Sequence, residues 1–260
     1  MRFRLRAFGI HLLASFVVLS VVLAVLYAGW YRWPAWWLAG AGTIVGVLVL
    51  VDVGVGPLAT LIISSPAKPR AEWRRDIMVI AMVQVAALGY GAHSLWQARP
   101  LFNVLSGMTI STIQANNIKP EAVARARAIG GGIVPEWYST LQWVWASLPE
   151  DPEERSRLVG QEFAKGTGVA TQPEYYRSLA AAKDALDKAL VPAERLVTSR
   201  LKFLTEEELR ARANELQRSP EELEVLPGTG NMRNGTWVFD SKTGELLAFW
   251  PVESLGVQQY

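Results

Sequence analysis

The sequence predicts a membrane protein in which three N-terminal transmembrane α-helices are followed by an α+β extracytoplasmic domain. Three observations support this fold class. Three long segments that almost lack charge lie within the first 98 of the 260 residues. The Lys and Arg residues of this part gather in the N-terminal tail and in one loop. The rest of the chain alternates between helix-like and strand-like patterns separated by turn signals.

The membrane domain is expected over residues 1–98, with spans near 8–30, 36–63 and 77–96. Each segment can supply the roughly 20 apolar helical residues that cross a hydrocarbon core of about 30 Å. The second segment is too long for one straight crossing, so we expect it to be tilted, kinked or partly interfacial. The first has a longer apolar core than a signal peptide and lacks a small-residue cleavage site, which favours a retained anchor.

The distribution of Lys and Arg predicts the orientation of the spans. The N-terminal tail holds three Arg and the loop 66–76 holds four Lys and Arg, whereas the turn after the first span holds only Arg32. Because such residues stay in the cytoplasm, we expect the N-terminus and this loop there, and the domain at 99–260 outside. From residue 97 onward the chain has 18 Lys and Arg and 21 Asp and Glu. The excess of positive charge therefore belongs to the membrane domain, and it does not indicate nucleic-acid binding. The predicted location is a bacterial inner membrane, with the outer domain in the periplasm.

The outer domain is expected to combine a small sheet with a helical insertion. Strand-like composition and turn signals predict a first hairpin, a single strand and a second hairpin, namely 101–105 with 108–115, then 141–148, then 235–240 with 245–250. Helical patterns lie between them, and the expected helices are 120–129, 153–165, 172–190, 206–218 and a short one at 219–222. The helix at 206–218 begins with the capping box Thr205-Glu206-Glu207-Glu208.

Asp52 is the most informative residue of the membrane domain because it is the single charged residue inside the second predicted span. A charge at the centre of a helix in the bilayer costs about 2.5–3.5 kcal/mol on insertion scales, so such a residue normally faces a partner, a cavity or a neighbouring helix. Two interpretations stay open. Asp52 hydrogen bonds a neighbouring span, through Gln84 or Ser and Thr groups, or it binds a polar group in the membrane helix of another protein.

Small and polar residues near Asp52 complete a candidate site for recognition or packing inside the membrane. Gly54 and Gly56 allow close approach between helices, and Pro57 kinks its helix and frees backbone carbonyl groups. The candidate residues are His11, Asp52, Gly54, Gly56, Pro57, Thr60 and Gln84.

Catalytic and metal-binding chemistry find little support in the sequence. There is no Cys, and the two His residues, His11 and His93, both lie in predicted spans. A Ser-His-Asp or Cys-His arrangement in the outer domain is therefore excluded, and a metal site lacks ligands. An intramembrane aspartyl protease needs a second deep carboxylate beside Asp52, whereas Asp76 lies at the end of a cytoplasmic loop. We expect no catalytic residue, no metal and no cofactor, and thus a protein that is not an enzyme.

Three motifs of the membrane domain carry a family resemblance. They are Arg6-Ala7-Phe8-Gly9-Ile10-His11-Leu12-Leu13, Val51-Asp52-Val53-x-x-Gly56-Pro57-Leu58-x-Thr60-Leu61, and Gln97-Ala98-Arg99-Pro100 after the third span. Over about residues 5–105 the chain resembles the TfpX/TfpZ family of type IV pilin accessory proteins, and beyond this range only scattered residues match.

The resemblance implies an inner-membrane accessory protein of type IV pilus biogenesis, a chaperone that binds and stabilises a cognate major pilin before assembly. The spans would contact the membrane helix of the pilin, and the outer domain its globular head. Pilins of this kind carry a glutamate near the start of that helix. Contact of Asp52 or His11 with this glutamate is a hypothesis. For Asp52 it would require one of the two carboxyl groups to be protonated, because two carboxylates repel each other. The alternatives are a membrane-anchored periplasmic sensor or ligand-binding protein, and an envelope enzyme.

Overall fold

The computed structural model describes residues 1–130, 132–165 and 168–257, with the backbone alone at 162–165. The chain divides into two compact units. The helical unit contains Met1–Arg32 and Ala41–Arg99, and the sheet unit contains Trp33–Gly40 and the chain from Pro100 onward.

The N-terminal third of the chain is helical. Its helices, in order, are α1 (Arg2–Gly29), α2 (Ala35–Ala39), α3 (Gly42–Val49), α4 (Gly56–Ile63) and α5 (Arg70–Gln97), with a π-helical turn at Leu50–Val55 between α3 and α4. Within the described residues, three continuous helical segments are long and apolar enough to cross a membrane, namely Arg2–Gly29, Gly42–Ile63 and Arg70–Gln97. The protein is therefore membrane-anchored through its N-terminal part.

The start of the second span differs from the expected range of 36–63. Helix α2 belongs to the sheet unit, where Leu38 is fully buried and its carbonyl oxygen accepts from the backbone N–H of Met232 at 3.4 Å. The indole Nε1 of Trp37 donates to the carbonyl oxygen of Asn234 at 3.2 Å. Trp and Leu suit a protein core as well as a bilayer, so hydropathy alone could not separate α2 from the span. The remaining 22 residues match a single crossing.

The sheet unit is built on one mixed β-sheet. Its strands are β1 (Pro100–Ser106), β2 (Thr109–Gln114), β3 (Gln142–Ala146), β4 (Tyr176–Ser178), β5 (Val191–Pro192), β6 (Leu223–Thr229), β7 (Gly235–Asp240) and β8 (Leu246–Trp250). The strand order is β4-β3-β1-β2-β6-β7-β8, and β5 also pairs with β6. The pairs β1–β3 and β2–β6 are parallel, and the other pairs are antiparallel.

The other helices of the sheet unit lie between β2 and β6 along the chain, where they alternate with the short strands β3, β4 and β5. They are α6 (Pro120–Ile129), α7 (Pro152–Lys165), α8 (Lys183–Ala189), α9 (Arg195–Thr198) and α10 (Glu206–Glu215). The predicted capping box begins α10: the Glu208 N–H donates to Thr205 Oγ1 at 3.2 Å, and the Thr205 N–H donates to Glu208 Oε2 at 2.8 Å.

The predicted helix over 172–190 is wrong, because only Lys183–Ala189 is α-helical there. The burial of one aromatic residue explains the difference. Tyr176 is fully buried in β4, its ring centroid lies 4.9 Å from that of Phe102, and its hydroxyl donates to the carbonyl oxygen of Ala170 at 2.5 Å. β4 pairs with β3 at the edge of the sheet, so packing outweighs the helix propensity of the alanines that follow.

Strand β7 shows how the sheet is covered on both faces. All six of its residues are buried. Successive side chains of a strand point to opposite faces. Accordingly, Trp237 and Phe239 pack in one hydrophobic cluster with Leu38 of α2, whereas Val238 packs in a second cluster with Leu209 of α10.

Asp240 holds the turn of the predicted second hairpin. Its Oδ1 accepts from the backbone N–H of Thr243 at 2.9 Å and of Lys242 at 3.0 Å, and its Oδ2 accepts from Nε of Arg218 at 3.0 Å. These donors favour the ionised carboxylate, so the Thr243 N–H, followed by the Arg218 guanidinium, lowers the pKa of Asp240 to about 2. The turn closes at Gly244, whose φ of 68° lies in the left-handed region that glycine tolerates.

Candidate functional site

Polar side chains from three separate helices meet inside the helical unit. His11 of α1 lies between Thr60 of α4 and Gln84 of α5. Its Nδ1 is 2.5 Å from Thr60 Oγ1, and its Nε2 is 2.6 Å from Gln84 Oε1. Because an amide oxygen only accepts, Nε2 carries the proton in this arrangement and the Thr60 hydroxyl donates to Nδ1. Both ring nitrogens of His11 are thereby satisfied, and one side chain connects the three helices.

Gln84 extends this network to the backbone of Asp52. Its Nε2 donates to the Asp52 carbonyl oxygen at 3.0 Å, and also approaches Oγ of Ser15 at 3.5 Å. In the π-helical turn the Gly56 N–H bonds the carbonyl oxygen of Val51, five residues earlier. The same spacing would pair the Asp52 carbonyl with the N–H of Pro57, which has none. The proline thus leaves a carbonyl group open inside the unit, and the amide of Gln84 supplies the missing donor.

Gly56 provides the space for Gln84. A Cβ at position 56 would overlap the amide group of Gln84, whereas a Cβ at position 54 would meet only Leu50 Cδ1, at an ordinary 3.7 Å. Gly56 is therefore required for the network, and Gly54, although a candidate by sequence, makes no comparable close approach.

The structure brings most of the predicted site residues together. His11, Thr60, Gln84 and the backbone of Asp52 form one hydrogen-bonded set, and the buried Gly56 and Pro57 shape the helix around it. His93 lies apart from this set, exposed, with its Nε2 3.4 Å from Gln97 Nε2.

One oxygen of the Asp52 carboxyl group is buried without a hydrogen-bond partner among the described residues. The residue is 4% exposed, and its Oδ2 has no hydrogen-bond partner among the residues that the structure describes. Burying an unpaired polar group costs about 1–3 kcal/mol by mutational estimates, and a charged one costs more. Oδ2 of Asp52 is thus a buried acceptor beside the network that lacks a donor within the described chain.

Asp52 lines a cleft between α1 and α5, which we call the α1–α5 cleft. Its volume is about 680 Å³, and Asp52, Thr60 and Gln84 form its buried base. One wall is an apolar stripe of α1, formed by Phe3, Ala7, Ile10, Ala14 and Val18. The other wall is an apolar stripe of α5, formed by Trp73, Ile77, Ala81, Val85 and Leu88. Ile10 and Val85 are 72% and 69% exposed, so the cleft opens onto the surface of the helical unit.

Aromatic residues of α1 and of the turn after it contact α5 near its two ends. At one end the rings of Phe3 and Trp73 lie 5.8 Å apart. At the other end the hydroxyl of Tyr31 donates to the carbonyl oxygen of Leu95 at 2.8 Å. Burial raises the pKa of this Tyr31 hydroxyl well above its usual range, which keeps the donor protonated.

Sequence reasoning missed several residues that shape this unit. Gly91 of α5 packs directly on Leu48 of α3, since a Cβ at position 91 would overlap the Leu48 side chain. The pair Gly89-x-Gly91 within an apolar span was a signal for close helix packing that could have found it. Tyr31 and Ser15 gave no comparable signal, because their roles depend on which carbonyl or amide lies opposite them.

The fold and the site define a membrane-anchored protein that carries an α+β domain and a polar network inside its helical unit. No family model matches the chain, and no solved structure does. The chain is similar to the protein named fimbrial assembly protein, serogroup E1, of Dichelobacter nodosus, with 25% identity over 234 residues, 88% of this chain and 87% of the relative. An alignment of that length includes residues of both units.

Two other proteins of the same organism are similar to the chain. The fimbrial assembly protein of serogroup I is 26% identical over 188 residues, 71% of this chain and 70% of the relative. The fimbrial assembly protein of serogroups C1 and C2 is 29% identical over 118 residues, 45% of this chain and 90% of the relative. These similarities point to a family of pilus assembly proteins.

Proposed function

We propose that this protein is an accessory factor of type IV pilus assembly, of the TfpX/TfpZ kind, that binds and stabilises a cognate major pilin in the bacterial inner membrane before the pilin joins the fibre. The observation that supports this most is the similarity to a fimbrial assembly protein over 88% of the chain. The family motifs around His11 and Asp52 also support the proposal. These motifs contain residues of the polar network inside the helical unit.

The architecture suits such a role. A pilin that awaits assembly has a long apolar helix in the bilayer and a globular head outside it. Three candidate spans followed by a sheet unit give one chain surfaces for both parts of that subunit. In this proposal the helical unit contacts the pilin helix and the sheet unit contacts the pilin head.

The proposed orientation has the N-terminus in the cytoplasm and the sheet unit in the periplasm. Arg2, Arg4 and Arg6 lie in the first turns of α1, the connection from α4 to α5 holds Lys68, and Arg70 begins α5. Lys and Arg near the ends of spans remain on the cytoplasmic side.

The proposed role is non-enzymatic and needs no cofactor. Its energetic basis is binding, because a ligand that binds only the folded membrane form of a subunit lowers the population of forms open to proteolysis. The chain offers no Cys, and its two His residues lie in α1 and α5, so a nucleophile-histidine pair cannot form in the sheet unit.

Deleting the gene from its host is expected to reduce the number of pili on the cell surface, and a plasmid copy is expected to restore them. Electron microscopy and immunoblotting of sheared surface pili measure this directly. A strain with the chromosomal gene replaced by an unrelated marker and then complemented in trans is the control for polar effects. Normal piliation in the deletion strain would rule out the proposed function.

A further inference from the structure

We propose that the α1–α5 cleft binds one transmembrane helix of a partner protein, and that a polar side chain of this helix hydrogen bonds the Asp52 carboxyl group. The inference relies on the proposed function for the natural partner, a pilus subunit. It goes beyond that function by assigning the binding surface and the chemistry that the partner must present.

The open oxygen of Asp52 is the first argument. His11, Thr60 and Gln84 bond one another, and Gln84 Nε2 also donates to the Asp52 carbonyl oxygen, but none of these bonds reaches Oδ2 of Asp52. Within the described part of the chain, Asp52 Oδ2 is without a partner although the residue is 4% exposed and lines the cleft. A buried polar group of this kind requires a complementary group, and the cleft is the route by which one can reach it.

The spacing of the cleft walls is the second argument. Along the α1 stripe the residues recur at intervals of three or four, as in Ala7, Ile10 and Ala14, and the α5 stripe repeats this spacing. Residues three and four apart form one continuous face of a helix. Small residues in each stripe, Ala7 and Ala14 in α1 and Ala81 in α5, let a third backbone approach closely. Two such faces with a gap between them fit the side chains of another helix.

The depth of Asp52 favours a protein helix over a lipid. Asp52 precedes Ser64, the residue that follows α4, by 12 positions, which corresponds to about 18 Å along a helix. The ammonium group of a phospholipid lies at the membrane surface, and acyl chains carry no donor. An Asn, Gln, Ser or Thr side chain on a transmembrane helix can present a donor at this depth.

The test uses the full-length protein in phosphatidylcholine vesicles together with synthetic transmembrane peptides. The peptides are polyleucine helices with Lys ends, and each carries a single Asn at one of three depths or Leu throughout. Binding is measured by energy transfer from a fluorophore on the protein to an acceptor on the peptide. The fluorophore is attached to a Cys introduced into the sheet unit, which is a unique attachment site because the chain has no other Cys. We expect one Asn peptide to bind about five- to thirtyfold more tightly than the all-Leu peptide.

Three variants separate the cleft from the rest of the unit. Asp52→Leu is expected to abolish the preference for Asn. Ala81→Trp, which places a large side chain in the cleft, is expected to weaken binding of every peptide, whereas Ala86→Trp on the exposed face of the same helix is expected to leave binding unchanged. Equal binding of Asn and Leu peptides, or equal behaviour of the two Trp variants, would overturn the proposal.

A tightly retained phospholipid is the competing outcome. Native mass spectrometry would then find a lipid bound to the wild type and absent from Ala81→Trp, and no peptide would bind. This result would assign the cleft to lipid and overturn the proposal. Such a result would leave the proposed role in pilus assembly intact if deletion of the gene still reduced piliation, so the two hypotheses fail separately.

Discussion

Replacing Gly56 by Ala is expected to lower the free energy of unfolding of the helical unit by about 1–3 kcal/mol, because the new methyl group displaces the Gln84 amide. Gln84 would then lose its bonds to His11 and to the Asp52 carbonyl oxygen. Hydrogen bonds between membrane helices contribute on average about 0.6 kcal/mol and up to about 1.7 kcal/mol each, and more than one is lost. Unfolding in mixed micelles with increasing dodecyl sulfate, followed by circular dichroism, measures the change.

Gly54→Ala is the matched control for Gly56→Ala. The two positions lie one helical half-turn apart, and the Cβ at position 54 meets no atom closer than 3.7 Å. Since Ala favours a helix over Gly by up to about 1 kcal/mol, the control is expected to be neutral or slightly stabilising. Equal effects of the two variants would show that Gln84 does not depend on the space above Gly56.

Replacing Trp237 by Ala is expected to destabilise the sheet unit by about 3–5 kcal/mol, the usual cost of removing a large buried aromatic side chain. Trp237 is 2% exposed, and its ring centroid lies 4.8 Å from those of both Trp143 and Phe249. The empty volume would lie where β6, β7 and β8 pack, so neighbouring rings cannot collapse into it fully. Guanidinium unfolding of the detergent-solubilised full chain, followed by circular dichroism, reports the loss.

Trp137→Ala controls for the chemistry of the substitution, because Trp137 is 73% exposed. Its effect is expected to stay within about 0.5 kcal/mol, as for most surface substitutions. If Trp237→Ala left the unfolding midpoint where Trp137→Ala leaves it, the placement of Trp237 in the core of the sheet unit would be wrong.

The sequence predicted those parts of the fold that local patterns determine. Long uncharged segments gave the candidate spans, Ser106-Gly107 marked the first hairpin, and the capping box at Thr205 marked the start of α10. Each of these signals lies within a few residues of the structure that it specifies.

The missed elements depend on contacts between distant residues. Strand β6 contains Pro227 and Gly228, which normally argue against a central strand. Here Gly228 is needed because a Cβ would lie 2.6 Å from the indole Nε1 of Trp237, nine residues further along the chain. Helix α2 was merged with the second span for a similar reason, since only its packing on the sheet distinguishes it from membrane helix.

The candidate site was predicted as a set of residues without its connections. Hydropathy singles out His11, Asp52 and Gln84 as polar groups in apolar spans, but it cannot show that His11 connects Thr60 to Gln84. The two sequence interpretations of Asp52 apply to different atoms. Its carbonyl oxygen bonds the neighbouring span through Gln84, and its Oδ2 remains open for a partner. Only the three-dimensional structure shows that the backbone and the side chain of Asp52 have different hydrogen-bonding environments.

The half-life of the unassembled major pilin is the most direct test of the central claim, that this protein stabilises a pilus subunit in the membrane. Pulse-chase labelling compares strains with and without the gene, in a host background where fibre assembly is blocked so that all pilin stays in the membrane. We predict a several-fold shorter pilin half-life without the gene, since an unprotected subunit is open to proteolysis. An unchanged half-life in both strains would contradict the claim.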